Sequence, residues 1–421
     1  VHGEFPARDL VVGVRGTLSY TAGHPEVNME RVRTGLDVLL DEGARRLRGR
    51  RVGLLCHPAS VDHRLRHAVP LLHEALGDDL RALFGPQHGL RGETQDNMIE
   101  WASYRDPATG LPVHSLYGEH RRPTAAMLAD IDALVIDLQD IGARYYTFVW
   151  TLLLCLEACA EQGKQVVVLD RPNPLGGRTE GNVLDPRWRS FVGLAPVPMR
   201  HGLTLGELAF WLRGHEAVDV DLEVVDLVGW RRRHWFDETG LPWVMPSPNM
   251  PTLETATVYP GACLLEGTDL SEGRGTTRPF EIVGAPGLDP DRLAADAAAC
   301  GLPGAVLRPL HFQPTFQKHA GQTCGGVQVH VRDRRRFRPV LTYLALLVAA
   351  RRQLAATPFW RQPPYEYEHE RLPIDVLAGG PQLREAVDAG ADPRELADGW
   401  QQDADWFAAE AAEVAGAVRH A

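Results

Sequence analysis

Four short apolar runs, each followed at once by a cluster of polar residues, constrain the fold of this chain more than any other feature. The runs are 52–56, 80–84, 133–136 and 166–169. Apolar runs of this length, bounded by Gly, Pro, Asn and Asp, predict buried strands. Segments with helical spacing, such as 71–76 and 147–161, alternate with them, which is typical of a parallel sheet with helices on both faces. The expected fold class is α/β, a Rossmann-like parallel sheet followed by a smaller α+β domain.

The length of 421 residues is too great for one ordinary core, so several parts are predicted. Residues 1–30 lack clear periodicity and are expected to be a loosely attached extension. Residues 31–252 are predicted to form the Rossmann-like domain, and residues 253–421 a C-terminal auxiliary domain that contributes loops to the cleft. Within these parts, 241–287 is predicted to be rich in loops, and the tail, 393–419, to be one amphipathic helix.

The composition excludes several classes of protein. A formal net charge of -11 argues against nucleic-acid binding, which needs a basic face. The longest apolar runs, 147–156 and 340–350, are shorter than the roughly 20 residues of a membrane span. The six cysteines form no CxxC pair, and the 17 histidines show no paired ligand spacing. We therefore predict no disulfide framework, no metal site and no cofactor.

The chain is expected to be a monomer or a homodimer. Its compartment stays open, because the sequence as given fits the cytoplasm and a removed leader would mean secretion.

The polar clusters are candidates for a ligand site, because ligands of open parallel sheets bind beyond the carboxyl ends of the strands. The densest cluster is 85–100, in which His88 and Glu93 lead and Arg91 offers a donor. Turn chemistry alone needs fewer of these polar groups than the segment contains. A functional role for this segment is the better interpretation.

Two carboxylates, Asp137 and Asp140, follow the third strand. Carboxyl groups so close together can have separated pKa values, which provides an acid and an anion from one residue type. In the structural alternative, Asp140 caps the next helix and Arg144 neutralises Asp137.

Three later segments also carry candidates. Asp170 follows the fourth strand. Arg200 and His201 precede a helix, where donors suit an anionic group or simply cap the surface loop. A glycine-rich loop that contains Glu266, Glu272 and Arg274 lacks the lysine of a phosphate-binding loop, so closure over a sugar is the better interpretation.

Six ordered segments carry a family resemblance. They are LFGPQHGLRGETQDNM, ALVIDLQDIGARYYTFVWTL, DRPNPLGG, FVGLAPVPMRHGLTLGELA, PSPNMPTLETATVYPG and LLEGTDLSEGRGTTRPFEIVGAP. Together they resemble the exo-β-N-acetylmuramidase family of peptidoglycan hexosaminidases, long known as a domain of unknown function. The resemblance implies a Rossmann-like catalytic domain with a smaller C-terminal domain. It also implies removal of N-acetylmuramic acid from the non-reducing end of cell-wall glycan fragments.

One position departs from the family pattern. Many members have Gly-Pro-Glu-His-Gly where this chain has Gln87 between Pro86 and His88. An amide cannot donate a titratable proton, although it can hydrogen-bond a sugar. Either Glu93 or another carboxylate therefore serves as the acid, or this branch acts on a different 2-acetamido sugar.

The sequence predicts a glycoside hydrolase that acts on small glycan or muropeptide fragments. Glu93 is the expected general acid, Asp137 or Asp140 would orient the acetamido group, and Glu266 or Glu272 is the reserve carboxylate. The residues expected to bind substrate are Gln87, His88, Arg91, Arg144, Tyr145, Tyr146, Asp170, Arg171, Asn173, Arg200, His201, Asn249 and Arg274.

Among these, Arg200, His201 and Arg274 are the candidate partners of the lactyl carboxylate, and the two tyrosines are candidates to stack on the sugar. Two alternatives remain. One is a sugar-binding protein that has lost catalysis, suggested by Gln87. The other is a sugar-nucleotide transferase, for which residues 57–60 supply no glycine fingerprint.

Overall fold

The computed structural model describes residues 31–96 and 98–418, so the predicted extension, 1–30, lies outside the described residues. The strands are β1 (Val52–Cys56), β2 (Leu80–Gly85), β3 (Tyr104–Arg105), β4 (Pro112–Ser115), β5 (Ala133–Asp137), β6 (Gln165–Leu169), β7 (Glu180–Val183), β8 (Pro198–Arg200), β9 (Leu222–Val225), β10 (Ile282–Ala285), β11 (Ala305–Phe312) and β12 (Cys324–Val331). The helices are α1 (Gly35–Asp41), α2 (Ala68–Leu76), α3 (Ala125–Leu128), α4 (Phe148–Glu161), α5 (Leu205–His215), α6 (Leu253–Ala262), α7 (Pro290–Ala298), α8 (Pro339–Gln353), α9 (Pro373–Ala378), α10 (Gln382–Asp388), α11 (Pro393–Gly399) and α12 (Gln401–Val418).

Seven strands form the main sheet, in the order β3-β4-β2-β1-β5-β6-β9. All neighbouring pairs are parallel except the edge pair β3-β4. Every residue of β1 and β5 is buried, because helices cover both faces of the sheet. Because β1, β2, β5 and β6 are parallel, the loops that follow them lie at one edge of the sheet, and the direction of strand addition reverses at β1. The predicted α/β fold class is confirmed.

The rest of the chain builds a smaller α+β portion. Strands β10, β12 and β11 form an antiparallel sheet, and β7 pairs with β8. Helix α8 is the centre of this portion, since its residues from Pro339 to Ala350 are all buried. The predicted division at residue 252 stays a prediction.

One local prediction was incomplete and another was wrong. The stretch 241–287, predicted to be rich in loops, also contains α6 and β10, although Pro260 and Gly261 in α6 are typical of a loop. Gly261 is required by packing, because a Cβ there would lie 2.1 Å from the carbonyl oxygen of Pro339. The supposed single tail helix is two helices, separated at Trp400.

Helix α5 begins with a capping box. Thr204 accepts from the backbone N–H of Glu207, whose carboxylate accepts from the N–H of Thr204. Within the described ranges, no helix is long and apolar enough to cross a membrane.

Candidate active site

A cavity lies beyond the end of β2, at the N-terminus of α4. Segments from both halves of the chain line it. The lining residues are Gln87, His88, Tyr145, Tyr146, Thr147, Phe148, Val192, Ser247, Asn249, Met250, Tyr259, Glu266, Arg274, Phe280, Tyr365 and Glu366. The cavity therefore requires residues far apart in sequence.

Glu366 is a buried carboxyl held by two hydrogen bonds. The amide of Gln87 donates to its Oε1 at 3.1 Å, and the hydroxyl of Tyr117 donates to its Oε2 at 2.8 Å. Burial raises the pKa of Glu366 to about 7 against the opposing effect of the Tyr117 hydrogen bond, and the nearby Glu266 adds to the rise. The group can therefore hold a proton at neutral pH and also release it.

Glu266 lies in a different environment. Nη1 of Arg274 is 2.9 Å from its Oε1, and the Tyr365 hydroxyl donates to its Oε2 at 2.8 Å. The ion pair with Arg274 and the hydrogen bond from Tyr365 fix the positions of both carboxylate oxygens. The cavity thus contains two carboxyl groups in different environments: Glu266 is ion-paired, and Glu366 has a raised pKa. Such a difference allows one group to act as an acid beside an anionic partner.

His88 faces the cavity as a neutral ring. Its Nδ1 lies 2.8 Å from the carbonyl oxygen of Thr94, and because a carbonyl only accepts, Nδ1 carries the proton. Burial lowers the pKa of His88 to about 4. Nε2 is therefore the acceptor of this imidazole at neutral pH.

Unusual backbone conformations gather at the cavity. His88, Phe280 and Glu366 line it with φ values of 69°, 65° and 44°, and Tyr367 follows with 67°. Left-handed backbone is unfavourable for residues with a Cβ and persists where the surrounding structure enforces it. The cavity wall is thus a strained region, which is common at functional sites.

A buried histidine fixes one side of the wall. His57, directly after β1, has Nδ1 3.2 Å from the carbonyl oxygen of Pro246, and its Nε2 accepts from the N–H of Gln139 at 2.9 Å. These bonds tie the strand ends to the segment that brings Ser247 and Asn249 to the cavity.

The structure brings together one group of the predicted site residues. The residues of this group that line the cavity are Gln87, His88, Tyr145, Tyr146, Asn249, Glu266 and Arg274. Glu272 lies directly behind Arg274 and accepts from its Nη1 at 2.9 Å. Burial acts to raise the pKa of Glu272, but Lys318 and Arg274 together lower it to about 2.

The candidates at the ends of β5 and β6 do not line the cavity. Asp137 forms a buried two-point ion pair with Arg171, with oxygen–nitrogen distances of 2.5 and 2.9 Å. Asp140 accepts from the N–H of Gly142 at 2.6 Å and lies 3.1 Å from Nε2 of His201. These carboxylates join one strand end to the next.

Other predicted substrate contacts are also used by the scaffold. Asp170 accepts from Thr204 and from the N–H of Gly206 at the start of α5, and burial raises its pKa to about 8. Arg144 is fully buried and donates to the carbonyl oxygens of Asn182, Val197 and Leu377. Asn173 and Arg200 bond to backbone within the neighbouring turns.

Glu93 and Arg91 lie on the outside of the loop after β2. Glu93 is exposed and is not among the residues that line the cavity. Arg91, with about half of its side chain exposed (53%), pairs with Asp106 at 2.9 Å. The position of Glu93 therefore does not favour it as the acid, and Glu366, in the second half of the chain, is the better candidate.

Three residues of the site, Glu366, Tyr365 and Tyr117, were not predicted from the sequence. The segment 363–368, Pro-Pro-Tyr-Glu-Tyr-Glu, offered a pattern of alternating phenols and carboxylates after a rigid pair of prolines. That pattern resembles the polar clusters after the strands and could have been selected. Among the described residues, no group of three or more His, Cys, Asp or Glu is placed to hold a metal ion.

Comparisons with known proteins agree over nearly the whole chain. Residues 52–254 match the family profile described as exo-beta-N-acetylmuramidase NamZ, N-terminal, and residues 257–415 match its C-terminal counterpart. A curated relative, peptidoglycan beta-N-acetylmuramidase NamZ of Bacillus subtilis (strain 168), is 45% identical over 338 residues, covering 79% of this chain and 81% of that protein.

Two crystal structures of DUF1343 family proteins from Bacteroides fragilis NCTC 9343 have the same fold. They superpose with TM-scores of 0.82 and 0.72 at 34% and 26% identity, and each comparison covers 91% of this chain and 98% of the other.

Proposed function

This chain belongs to the exo-β-N-acetylmuramidase NamZ family, and from that premise we propose that Glu366 is the acid with which it cleaves peptidoglycan fragments. The chain is a glycosidase, as the family resemblance in its sequence implied. Its substrate is the N-acetylmuramic acid at the non-reducing end of the glycan. The oligomeric state, monomer or homodimer, stays a prediction.

The observation that carries the assignment of the acid is the position of Glu366 in the cavity with its raised pKa. Cleavage of a glycosidic bond requires a proton for the leaving oxygen, and a general acid works best with a pKa near the operating pH. With a pKa of about 7, Glu366 is partly protonated at neutral pH. Gln87 and Tyr117 orient its two oxygens, so the amide in place of the family glutamate becomes a holder of the acid.

The second carboxylate, Glu266, supports the charge that develops at the sugar. In 2-acetamido sugars the acetamido oxygen can replace a protein nucleophile, and a carboxylate then orients that group. Glu266 is suited to this role because Arg274 and Tyr365 fix both of its oxygens. An oriented anion in a buried site also stabilises an oxocarbenium-like centre.

Arg274 is the proposed partner of the lactyl carboxylate that distinguishes muramic acid from glucosamine. It is the one arginine or lysine among the residues that line the cavity. Its Nη1 is shared by Glu266 and Glu272, and within the described residues its buried Nε has no hydrogen-bond partner. An arginine with an unused donor suits a carboxylate ligand.

The test uses a chromogenic N-acetylmuramide, with the corresponding glucosaminide as the specificity control. Glu366→Gln should lower kcat about 10²- to 10⁴-fold, the range for loss of a general acid. Glu281→Gln is the matched control, because Glu281 is buried, bonds Thr255 and also has a pKa raised by burial, but lies outside the cavity. Glu93→Gln, measured beside them, tests the acid predicted from sequence.

Two results would contradict this assignment. If Glu93→Gln abolishes turnover and Glu366→Gln does not, Glu93 is the acid. If the purified protein cleaves no 2-acetamido glycoside, the proposed activity is wrong. Loss of catalysis through Gln87 is not favoured, since a titratable carboxyl lies 3.1 Å from that amide.

A further inference from the structure

A partly buried lysine, Lys318, with 12% of its side chain exposed, holds the loop that carries Glu266 and Arg274. Lys318 lies between β11 and β12 and is one of only two lysines in a chain with 44 basic residues. Its ammonium donates to the carbonyl oxygens of Leu265 at 2.8 Å and Leu270 at 3.0 Å, and to Glu272 at 2.9 Å. All three N–H donors of the ammonium group are thereby used.

The choice of lysine follows from this geometry. The three acceptors come from different points of one loop and surround a single nitrogen. A compact ammonium on a flexible stem can serve them, whereas a planar guanidinium directs its donors in a fixed fork. All the other basic positions of the chain except Lys164 are arginines. The lysine at position 318 is therefore explained by the geometry of this contact.

The contacts of Lys318 lead to both charged groups of the cavity wall. Leu265 directly precedes Glu266, so the bond to its carbonyl fixes the backbone that presents this carboxylate. Glu272, neutralised by Lys318, bonds Arg274 at 2.9 Å, and Arg274 lies at the same distance from Glu266. Lys318 itself is not among the residues that line the cavity.

The backbone around Lys318 is strained. Gln317 and His319, on either side of it, have φ values of 67° and 57°. Thr315, at the start of the same loop, donates from both its N–H and its hydroxyl to the carbonyl oxygen of Gly275, each at 2.9 Å. Two unfavourable conformations flanking one residue indicate that the loop is shaped to deliver that side chain.

We propose that Lys318 is a positioning residue for the hydrolysis, acting through Glu272 and the Leu265 carbonyl to fix Arg274 and Glu266 at the substrate. This inference rests on the proposed function. Lys318, Arg274, Glu266 and Glu272 form a cluster of two positive and two negative charges. Without the lysine, Glu272 and Glu266 share one guanidinium and the wall carries a net negative charge.

The extra negative charge reaches Glu366 and gives the proposal a readout in the pH profile. The groups that face Glu366 are Gln87, Tyr117, Glu266, Arg274, Tyr365 and Tyr367. A more negative surrounding favours the protonated acid. Lys318→Met should therefore move the alkaline limb of kcat to higher pH, whereas Glu272→Gln, which removes a negative charge, should move it to lower pH.

The experiment compares these variants with Lys164→Met, which removes the other lysine of the chain, distant from the cavity. Lys318→Met should lower kcat about 10- to 100-fold, the scale of a misplaced reacting group, and Lys318→Arg should not restore it. The limb should shift by about half a unit or more in opposite directions in the two single variants. The charge-balanced double variant, Lys318→Met with Glu272→Gln, should return it close to the wild-type position.

Several results would overturn the proposal. One is wild-type kinetics in Lys318→Met. Another is a loss of activity in proportion to the loss of thermal stability, with the alkaline limb of kcat unchanged. The role of Lys318 would then be structural. If Lys318→Met does not fold, Glu272→Gln alone decides by the direction of its shift.

Calorimetry with N-acetylmuramic acid separates this proposal from the proposed function. If the wild-type protein binds N-acetylmuramic acid but does not cleave the chromogenic N-acetylmuramide, the proposed function fails. Weakened binding in Lys318→Met but not in Lys164→Met would then still support positioning, and equal binding in both variants would refute it.

Discussion

Two regions of this protein bury ionisable side chains at the same edge of the sheet, and they use them differently. At the ends of β5 and β6, Asp137 and Arg171 satisfy each other, and Asp170 caps α5. In the cavity wall, Glu366 is held by a neutral amide and a phenol, and the Nε of Arg274 has no hydrogen-bond partner in the part of the chain that the structure describes. Unused bonding capacity that faces a cavity, rather than the density of polar residues, distinguishes a site from a scaffold.

The distinction has a physical basis. A buried ion pair without its partner leaves an uncompensated charge, so the strand-end residues are required by the fold. A buried carboxyl without an ion-pair partner lowers stability instead, because burial disfavours its charged form and raises its pKa. The first region should therefore respond to mutation in stability, and the second in activity.

The largest effect on stability is expected at Asp137. Asp137→Ala leaves Arg171 buried without its anion and should lower the free energy of unfolding by about 3–5 kcal/mol. The solvent-exposed pair of Arg51 and Asp132 is the control, and Asp132→Ala should lower the free energy of unfolding far less than Asp137→Ala. Urea denaturation measures both. If Asp137→Ala lost activity and kept its stability, the contrast between the two regions would collapse.

A second effect sharpens the contrast through pH. Folded Glu366 keeps its proton to about pH 7, whereas the carboxyl in the unfolded chain loses it near its ordinary value of 4.5. Between these values the folded state binds more protons, so the contribution of this group to stability falls as pH rises. The loss amounts to about 3 kcal/mol and is complete above pH 7.

Glu366→Gln lacks this titration and should gain on the wild-type protein in unfolding free energy from pH 4.5 to pH 7. Denaturant titrations at several pH values measure the difference. Parallel stability curves for the two proteins would show that Glu366 does not hold its proton in the folded state.

The smallest effect is expected from Gln87→Glu. The new carboxyl would lie beside Glu366, and two carboxyls at hydrogen-bond distance share a proton and titrate as a pair. We expect the alkaline limb of kcat to move up by about one pH unit, with activity at pH 6 within about threefold of wild type. A large gain of activity at neutral pH would instead favour the interpretation that Gln87 impairs catalysis.

The double variant, Gln87→Glu with Glu366→Gln, asks whether a glutamate at position 87 can serve as the acid by itself. Inactivity is expected, since the proton donor of this chain is then missing. Activity comparable to wild type would move the acid to position 87.

The fold was predictable because its determinants are local. The strands that became β1, β2, β5 and β6 are short apolar runs, and burial on both faces makes such runs recognisable. Helix α6 escaped because Pro260 and Gly261 mark loops in most contexts, and packing against α8 overrides that preference.

The site was only half predictable. Gln87 and Glu266 belong to polar clusters within the recognised motifs, so they were selected. Asp137 was selected too, because its closeness in sequence to Asp140 suggested a catalytic pair. The sequence does not show that Asp137 forms an ion pair with Arg171 instead. Glu366 was missed because its meaning depends on a contact with Gln87, 279 positions away, which no local pattern reports.

That separation has a consequence for the life of the protein. The hydrogen bond between Gln87 and Glu366 closes only after 279 further residues have been added, which takes roughly 15–55 seconds at about 5–20 residues per second on the ribosome. A nascent chain that has already formed the main sheet still lacks Glu366, so it should not cleave a glycan. Products truncated before residue 366 lack the proposed acid and should therefore not cleave peptidoglycan.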